Sequence, residues 1–538
     1  MTRRSRKKKN LTRVKHSAYQ RLEMWVKVHA RHLLIGILAL NLLFSLVLFE
    51  PKPHTGGDNA AYILLAESIL RSGDGYAEGY RSVAPEPQTQ YPFGYPLLLS
   101  PLSALFGRNI LDFKLLSLAM ILGSVALFSI LIRPLFAPLP WAALTLAAAV
   151  NPVMIDYSHW ILSESAFLFF SLLSFALFLT SEKKGRDSPG TFFWLALLCM
   201  AFTLHIRTIG IAFPLAGFAY YSIHRKWRKL ALFTVVMTML VLPWMIRNRM
   251  VQQGNAPYVE QILLKSVYDP DQGHIGFAGL GERVIKNVRI YSSREMGRVL
   301  IDTTGAGKLV PGVRLAAVLL TLIVLAGFVK NLITRKSILE FYMLFYTGAV
   351  LIFPDVVSDV RYLMPLIPLI LLYLGEGGAL AARLPLSRME QGGKIVVGLA
   401  LAAALISFTF QMGRVPGNLS MLKSYLSGDR YAGYPPNWRN LFQAGDWIRE
   451  NTSQESVITV RKPRLFHVHT GRKVEGYPFT ADTDSVLNWI TATDYVVVDA
   501  VSGTTYRYLI PAIQKAPERF KLLYRLENPF TGVLEVVK

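Results

Sequence analysis

Asp58 follows two glycines, Gly56 and Gly57, and opens a helix-like stretch in the segment GGDNAAYILLAESILRSGDGY. The helix dipole favours an ionised carboxylate in a first turn. The same residue type in the same place is also a good helix N-cap, and on residue type alone the cap has the stronger claim. Tyr62, Leu65, Ala66 and Ile69 follow at helical spacing, so this helix can lie with one face on a membrane surface. A Pro-rich linker then leads to QYPFGYPLLLSPLSALFG, which carries Tyr91. A second set of candidates is cationic. Arg207, Arg247 and Arg361 stand at the ends of apolar blocks, and an ionisable residue at membrane depth is a functional candidate by default. His205 and Arg207 together interrupt a continuous apolar region. Snorkelling to the interface is the equal alternative for each arginine. Arg361 has Asp359 and Asp355 nearby as structural partners, and Glu164, at the start of another block, is placed to hold one of these arginines.

Other chemically capable residues read as structural. His467 and His469 in FHVHTG are two apart, so on a strand both face one side; a third metal ligand is not evident, and a solvated strand face is the simpler reading. Asp482 and Asp484 resemble a turn or helix cap. The single cysteine, Cys199, lies inside an apolar block, so neither an intrachain disulfide nor a cysteine-based metal site is available.

The elements that must position these residues are membrane spans. Over 538 residues the chain is 52% hydrophobic and only 17% charged, with a mean hydropathy of +0.34. A soluble chain of this length would carry more charge, and here the apolar residues come in blocks long enough, or nearly so, to cross a bilayer core of about 30 Å. The net charge of +23 would suggest nucleic acid in a soluble protein. Here Lys and Arg cluster in short segments between apolar blocks instead, as the positive-inside rule expects. The run Arg3, Arg4, Arg6, Lys7, Lys8, Lys9 reads as an anchor on anionic lipid. No small-residue cleavage pattern follows the first block, which reads as a retained span.

About eleven spans are expected: 33–49, 111–132, 139–155, 160–180, 192–206, 209–223, 230–246, 315–329, 338–353, 362–374 and 395–410. Counting from an inside N-terminus puts the basic turns at Lys183, Lys184 and Arg186, at His224 to Lys229, at Lys330 to Lys336, and at Arg383, Arg388 and Lys394 on one side. It puts two long loops, 50–110 and 247–312, and the C-terminus on the other. The expected fold is therefore mainly α: a polytopic membrane domain over 1–411 and a small soluble α/β domain over 412–538. In the latter, Trp438 to Glu450 reads as an amphipathic helix, and Ser456 to Arg461 and Tyr495 to Asp499 read as strands. Arg507 to Lys515 and Thr531 to Val537 continue that pattern, and no Gly-rich phosphate motif is present in it.

The first loop, with Gly-Asp-x-x-x-Tyr, a helix, Gly-x-Gly-Tyr and then Tyr-Pro-x-Gly-Tyr-Pro-Leu, resembles that of the GT-C superfamily of membrane glycosyltransferases. More narrowly, it is similar to the family that includes protein O-mannosyltransferases and the bacterial lipid A aminoarabinose transferase. DVRYLMPLIPLILLYL, from Asp359 to Leu374, matches the Arg-Tyr-Leu-x-Pro-x-x-Pro turn of bacterial members; SESAFLFF and PWMIRN are weaker echoes. The resemblance implies an enzyme of the bacterial inner membrane with a cytoplasmic N-terminus and a periplasmic C-terminal domain. Such an enzyme moves a sugar, with inversion, from a polyprenyl-phosphate donor to a lipid, glycan or protein acceptor on the outer face. Membrane lipids are expected partners and nucleic acid is not.

The resemblance also assigns roles. Asp58 would take the acceptor proton or orient its hydroxyl. Arg207, Arg247 and Arg361 are candidates to hold the lipid phosphate, with Glu164, Tyr62 and Tyr91 candidates to line the donor or acceptor site. The chain departs from the family in having Asn59 where many relatives carry a second acid. It also has Gln90, Tyr91, Pro92 where the aminoarabinose transferases carry acid-Lys-Pro, with Glu86 close by. These departures leave the acceptor and any divalent-metal requirement open, and no metal ligand or other cofactor is assigned. A transporter or flippase of lipid-linked sugar is the alternative, though no internal symmetry of broken helices supports it. A polysaccharide polymerase or ligase is the third reading; its main functional loop usually falls late in the chain, whereas here the richest loop is the first.

Overall fold

All eleven apolar blocks fall on helices in the computed structural model, which describes residues 17–71, 75–83, 87–183, 189–252, 257–265, 273–301, 311–381 and 389–538. The basic run at Arg3 to Lys9 and residues Glu86, Lys184, Arg186, Arg383 and Arg388 lie outside them. The chain begins with α1 (Ala18–Val47), closed at its start by a capping box of Ser17 and Gln20. The first loop holds two helices, α2 (Gly57–Leu70) and α3 (Gly94–Phe106). Next come α4 (Ile110–Ile132), α5 (Pro138–Ala149) and α6 (Pro152–Tyr157). The block expected over 139–155 is thus broken at Asn151–Pro152, where Asn151 caps the second piece. The bundle continues with α7 (Ser163–Lys183), α8 (Thr191–Ile206), α9 (Ala212–Ile223) and α10 (Trp227–Val251). The second loop carries α11 (Pro257–Leu263), α12 (Phe277–Ile290) and α13 (Met296–Leu300); it starts one turn later than expected, because α10 runs on past Arg247. The membrane part closes with α14 (Pro311–Thr334), α15 (Ile338–Ile352), α16 (Ile367–Ala381) and α17 (Met389–Leu426).

Among the described residues, seven segments are long and apolar enough to cross a membrane: α1, α4, α7, α10, α14, Val360–Leu380 and Gln391–Leu426. The blocks at α5, α8, α9 and α15 are apolar but shorter, as is α3, an apolar helix inside the loop expected to be polar over 50–110. Close helix contact uses small residues. A Cβ on Gly327 of α14 would come 2.2 Å from the Tyr373 carbonyl oxygen of α16, and one on Gly377 would come 2.0 Å from that of Ile323.

The division expected at 411–412 falls inside α17, which runs on to Leu426 before the C-terminal α/β region. There, α18 (Pro436–Asn451), β1 (Val457–Thr459), α19 (Pro463–Thr470), β2 (Lys473–Glu475), α20 (Thr483–Thr491), β3 (Tyr495–Val498), α21 (Ile510–Lys515), β4 (Phe520–Leu526) and β5 (Thr531–Val536) form one sheet with helices on both faces. The strand order is β2-β1-β3-β5-β4, with β2, β1 and β3 parallel and β5 antiparallel to its neighbours. Leu441, Ile448 and Phe466 pack on Ile458 and Val497 on one face; Val486, Ile490 and Leu509 pack on Val496 and Val498 on the other. His467 and His469 lie on α19 rather than on a strand. Pro463 starts that helix and Gly471, at φ +72°, ends it. Asp482 caps α20.

Expected as a surface helix with one wet face, α2 is instead enclosed: every residue from Asn59 to Ala66 is buried. Ala61, Tyr62, Ile63 and Leu65 join the core of the helix bundle, while Ala60 packs on Phe442 of α18 and Leu465 of α19. The C-terminal region covers the face that the spacing had assigned to lipid or water.

Candidate functional site

Asp58 does not cap its own helix. Gly56 occupies the cap position of α2, and its N–H is taken by the His54 ring at 3.1 Å. The Asp58 carboxylate, in the first turn, is free to reach outward. Its Oδ2 accepts from Arg361 Nη1 at 2.7 Å and its Oδ1 accepts from the Tyr91 hydroxyl at 2.8 Å. Burial alone would push the Asp58 carboxyl up; the Arg361 charge and the two hydrogen bonds outweigh it and hold the group below the usual carboxylate range. The side chain is ionised at neutral pH and about 30% exposed, so lone pairs remain open to a hydroxyl.

Arg361 sits on a 3-10 turn, Val360–Tyr362, just ahead of α16. Asp359 caps that turn, accepting the Arg361 N–H at 2.9 Å, and its carboxylate pairs with Arg298 of α13 at 3.1 Å. Asp355 pairs with Lys286. Neither acid therefore holds the Arg361 guanidinium, which bridges Asp58 and Glu164. Glu164, in the first turn of α7, is fully buried. One of its oxygens, Oε1, receives both Arg361 and Arg207, while Oε2 has no hydrogen-bond partner among the described residues.

Arg207 follows α8 in extended backbone. Besides Glu164 it donates to Ser163 Oγ at 3.1 Å, and Ser163 Oγ lies 2.9 Å from the Tyr62 hydroxyl. The YPFGYP segment is fitted against this corner. A Cβ on Gly94 would come 2.6 Å from the His205 carbonyl, so only glycine lets α3 start against the end of α8. Tyr62 packs edge-on against Tyr91 and Tyr95, with ring centres 5.3 and 4.9 Å away.

Six of the seven residues singled out from the sequence thus form one connected cluster: Asp58, Tyr62, Tyr91, Glu164, Arg207 and Arg361. Arg247 lies apart. Its guanidinium donates to the carbonyls of Gln88 and Gly75, at 2.5 and 2.7 Å, and sits over the rings of Trp244 and Tyr76. Among the described residues no three His, Cys, Asp or Glu side chains come together as metal ligands would.

Sequence reasoning missed three contributors. His54, its ring tilted against that of Trp160 with centres 4.5 Å apart, is pushed down to about 4 by burial and is neutral at neutral pH; its signal was its place just ahead of the Gly-Gly-Asp turn. Arg298 reaches the site from the second loop through Asp359, which spacing could not reveal. Arg464, at the start of α19, pairs with Glu78 of the first loop and lies 5.7 Å from the centre of the Tyr91 ring. The signal for Arg464 was the basic run Arg461, Lys462, Arg464 at a helix start.

No family model and no curated protein matches the chain at the level of sequence. Its fold does match solved structures. The apo oligosaccharyltransferase of Archaeoglobus fulgidus superposes with a TM-score of 0.55 at 13% identity, over 93% of this chain and 74% of that one. The archaeal oligosaccharyltransferase AglB from the same organism, in complex with an inhibitory peptide and a dolichol-phosphate, gives 0.53 at 12% identity over 87% and 69%. ArnT from Cupriavidus metallidurans, bound to undecaprenyl phosphate, gives 0.54 at 15% identity over 93% and 97%. The chain has the fold of the GT-C membrane glycosyltransferases and is a multi-pass membrane protein.

Proposed function

We propose that the protein transfers a sugar from a polyprenyl-phosphate donor to a hydroxyl-bearing acceptor, with inversion, on the face of a bacterial inner membrane that carries the C-terminal domain. The observation that carries this reading is the alternation of charge at one end of the bundle: the Asp58 carboxylate, the Arg361 guanidinium, the Glu164 carboxylate and the Arg207 guanidinium in unbroken contact. In the proposed step the acceptor oxygen attacks the anomeric carbon from the face opposite the phosphate. The C–O bond to the phosphate breaks, and the polyprenyl phosphate leaves with the electron pair. Asp58 accepts the hydrogen bond of the attacking hydroxyl and takes its proton as the new bond forms. Arg361 and Arg207 offer the charge that a departing phosphate needs in a site of low dielectric. The dolichol-phosphate and undecaprenyl phosphate held by structures of the same fold agree with a lipid phosphate as ligand.

The test uses membranes containing wild type or Asp58→Asn at matched protein level, supplied with radiolabelled undecaprenyl-phosphate monosaccharides. The variant should lose transfer by about 10²- to 10⁴-fold, the usual contribution of a positioned base, while purified protein still binds undecaprenyl phosphate. Transfer at the wild-type rate would remove Asp58 from the reaction. Movement of labelled lipid across liposomes containing the wild type, with no covalent product, would replace the reading with a flippase.

A further inference from the structure

The C-terminal domain grips the first loop along a seam that ends at the candidate site. Glu475 of β2 accepts from Arg81 Nε at 3.0 Å and from the Ser82 N–H and hydroxyl at 3.0 and 2.6 Å. Val474 N–H donates to the Tyr80 carbonyl at 2.9 Å, so the loop pairs along the free edge of the edge strand β2. Further along, Glu78 is buried, takes Arg464 on one oxygen and Gln88 at 2.6 Å on the other. The same Arg464 guanidinium lies against the rings of Tyr80 and Tyr91, at 5.9 and 5.7 Å. A cation beside a phenol strengthens its O–H as a donor, and the Tyr91 O–H is the one that holds Asp58.

We propose that Arg464 is a positioning residue for the reaction: anchored by Glu78, it fixes Tyr91, and through Tyr91 it sets the orientation and charge of Asp58. The C-terminal domain then serves as the outer wall of the site rather than an appendage, with Arg464 as its point of action on Tyr91. This rests on the role given to Asp58 above.

Enzyme kinetics on the full chain test it. Arg464→Gln should lower kcat about tenfold with the KM for the labelled undecaprenyl-phosphate sugar unchanged, a coupling of the size found between residues in one network. Arg464→Lys should recover most of that loss, because it keeps the charge beside Glu78. The pH profile supplies a readout that loosened packing would not move. Asp58 faces Arg361, Tyr91 and Tyr62, with Arg207, Glu164, His54 and Lys462 within electrostatic reach. Its carboxyl lies below the usual carboxylate range, so the acid limb of wild-type activity should lie below that range too. Weakening the Tyr91 bond raises the group, and the acid limb should move up by about one pH unit in Tyr91→Phe and in Arg464→Gln. The double variant should be no worse than Tyr91→Phe alone.

Glu475→Gln, which loosens the seam away from Tyr91, should leave the acid limb in place. Wild-type kcat in Arg464→Gln, or losses that multiply in the double variant, would overturn the proposal. So would an equal shift of the limb in Glu475→Gln. If Asp58→Asn is inactive while Arg464→Gln is normal, only the positioning falls; if Asp58→Asn is fully active, the reading of Asp58 falls and takes the positioning with it.

Discussion

Helix α7 carries a glutamate near each end, roughly 27 Å apart at the rise of an α-helix, and the two are built differently. At the far end, Glu182 has both oxygens filled: Lys229 at 3.0 Å and Tyr221 on one, Lys226 and Tyr220 on the other. Glu376 on α16 repeats the pattern, with Lys330 at 2.6 Å on one oxygen and Arg335 at 2.9 Å on the other. These clusters join neighbouring helices, and their lysines and Arg335 keep part of their length in reach of water. At the near end, Glu164 takes two guanidinium groups on a single oxygen and none on the other. Its partner Arg361 is shared with a partly exposed carboxylate from a separate loop. A completed cluster can only hold helices together. An unfinished one, with cations shared between acids and exposed on one side, can exchange partners with a ligand. The difference in completion marks the near end as the site.

Arg361 is the sharpest place to break this comparison. Arg361→Gln leaves the fully buried Glu164 with Arg207 alone and frees Asp58 from its charge partner. Removing one member of a buried pair costs about 3–5 kcal/mol, and loss of one charge-stabilising donor costs about 10²- to 10³-fold in rate. We expect both, read as a fall in the thermal midpoint in detergent and a loss of sugar transfer per folded molecule. Arg361→Lys should recover stability more than rate, since a point charge cannot span two carboxylates as Nε and Nη1 do. A Gln variant that transfers within twofold of wild type would erase the distinction between the two ends.

Glu182→Gln probes the other side of the comparison and should do less. Lys226 and Lys229 can turn toward water once their partner is neutral, so the expected loss is about 1–2 kcal/mol of stability. The rate per folded molecule should stay at the wild-type level. A rate loss comparable to that of Arg361→Lys, at an unchanged midpoint, would mean that the far cluster also takes part in the reaction.

How much of this was legible in the sequence follows from what each feature depends on. The helices were legible because apolar blocks of bilayer length leave little choice of structure, although Asn151–Pro152 split one block and α3 was hidden behind its Tyr and Pro. The cluster residues were legible as types, since a charge next to an apolar block stands out. Their pairing was not. Arg361 had nearer acids in Asp359 and Asp355, and only the turn at Val360–Tyr362, which spends Asp359 on a backbone N–H, sends the guanidinium to Glu164 and Asp58. The burial of α2 was illegible for a related reason. Its spacing described one face correctly, and the second face is covered by α18 and α19, nearly 400 residues further along the chain. His467 and His469 were read on a strand because alternation alone cannot tell a short strand from the helix that Pro463 and Gly471 delimit.

Arg247 tests how finely the comparison resolves, and it should show the smallest effect. By residue type and position it stood with Arg207 and Arg361 as a candidate, Arg207 being the most suggestive of the three. Its surroundings differ, because among the described residues its hydrogen bonds go to the carbonyls of Gln88 and Gly75 and to the side chain of Asn248, and its flat faces are taken by Trp244 and Tyr76. Tyr76 in turn donates to the Tyr91 carbonyl at 3.0 Å. A guanidinium with no carboxylate partner in that set holds the loop that carries Tyr91 and is not balanced against an exchangeable acid. Replacing it should therefore act on Tyr91 at second hand. Arg247→Gln is expected to leave the affinity for undecaprenyl phosphate within about threefold of wild type, whereas Arg207→Gln should weaken it by tenfold or more, the loss of one charge-assisted contact. Equal losses in the two variants would return Arg247 to the phosphate site, and the line between completed and exchangeable charge would have to be redrawn to include arginines bound to backbone.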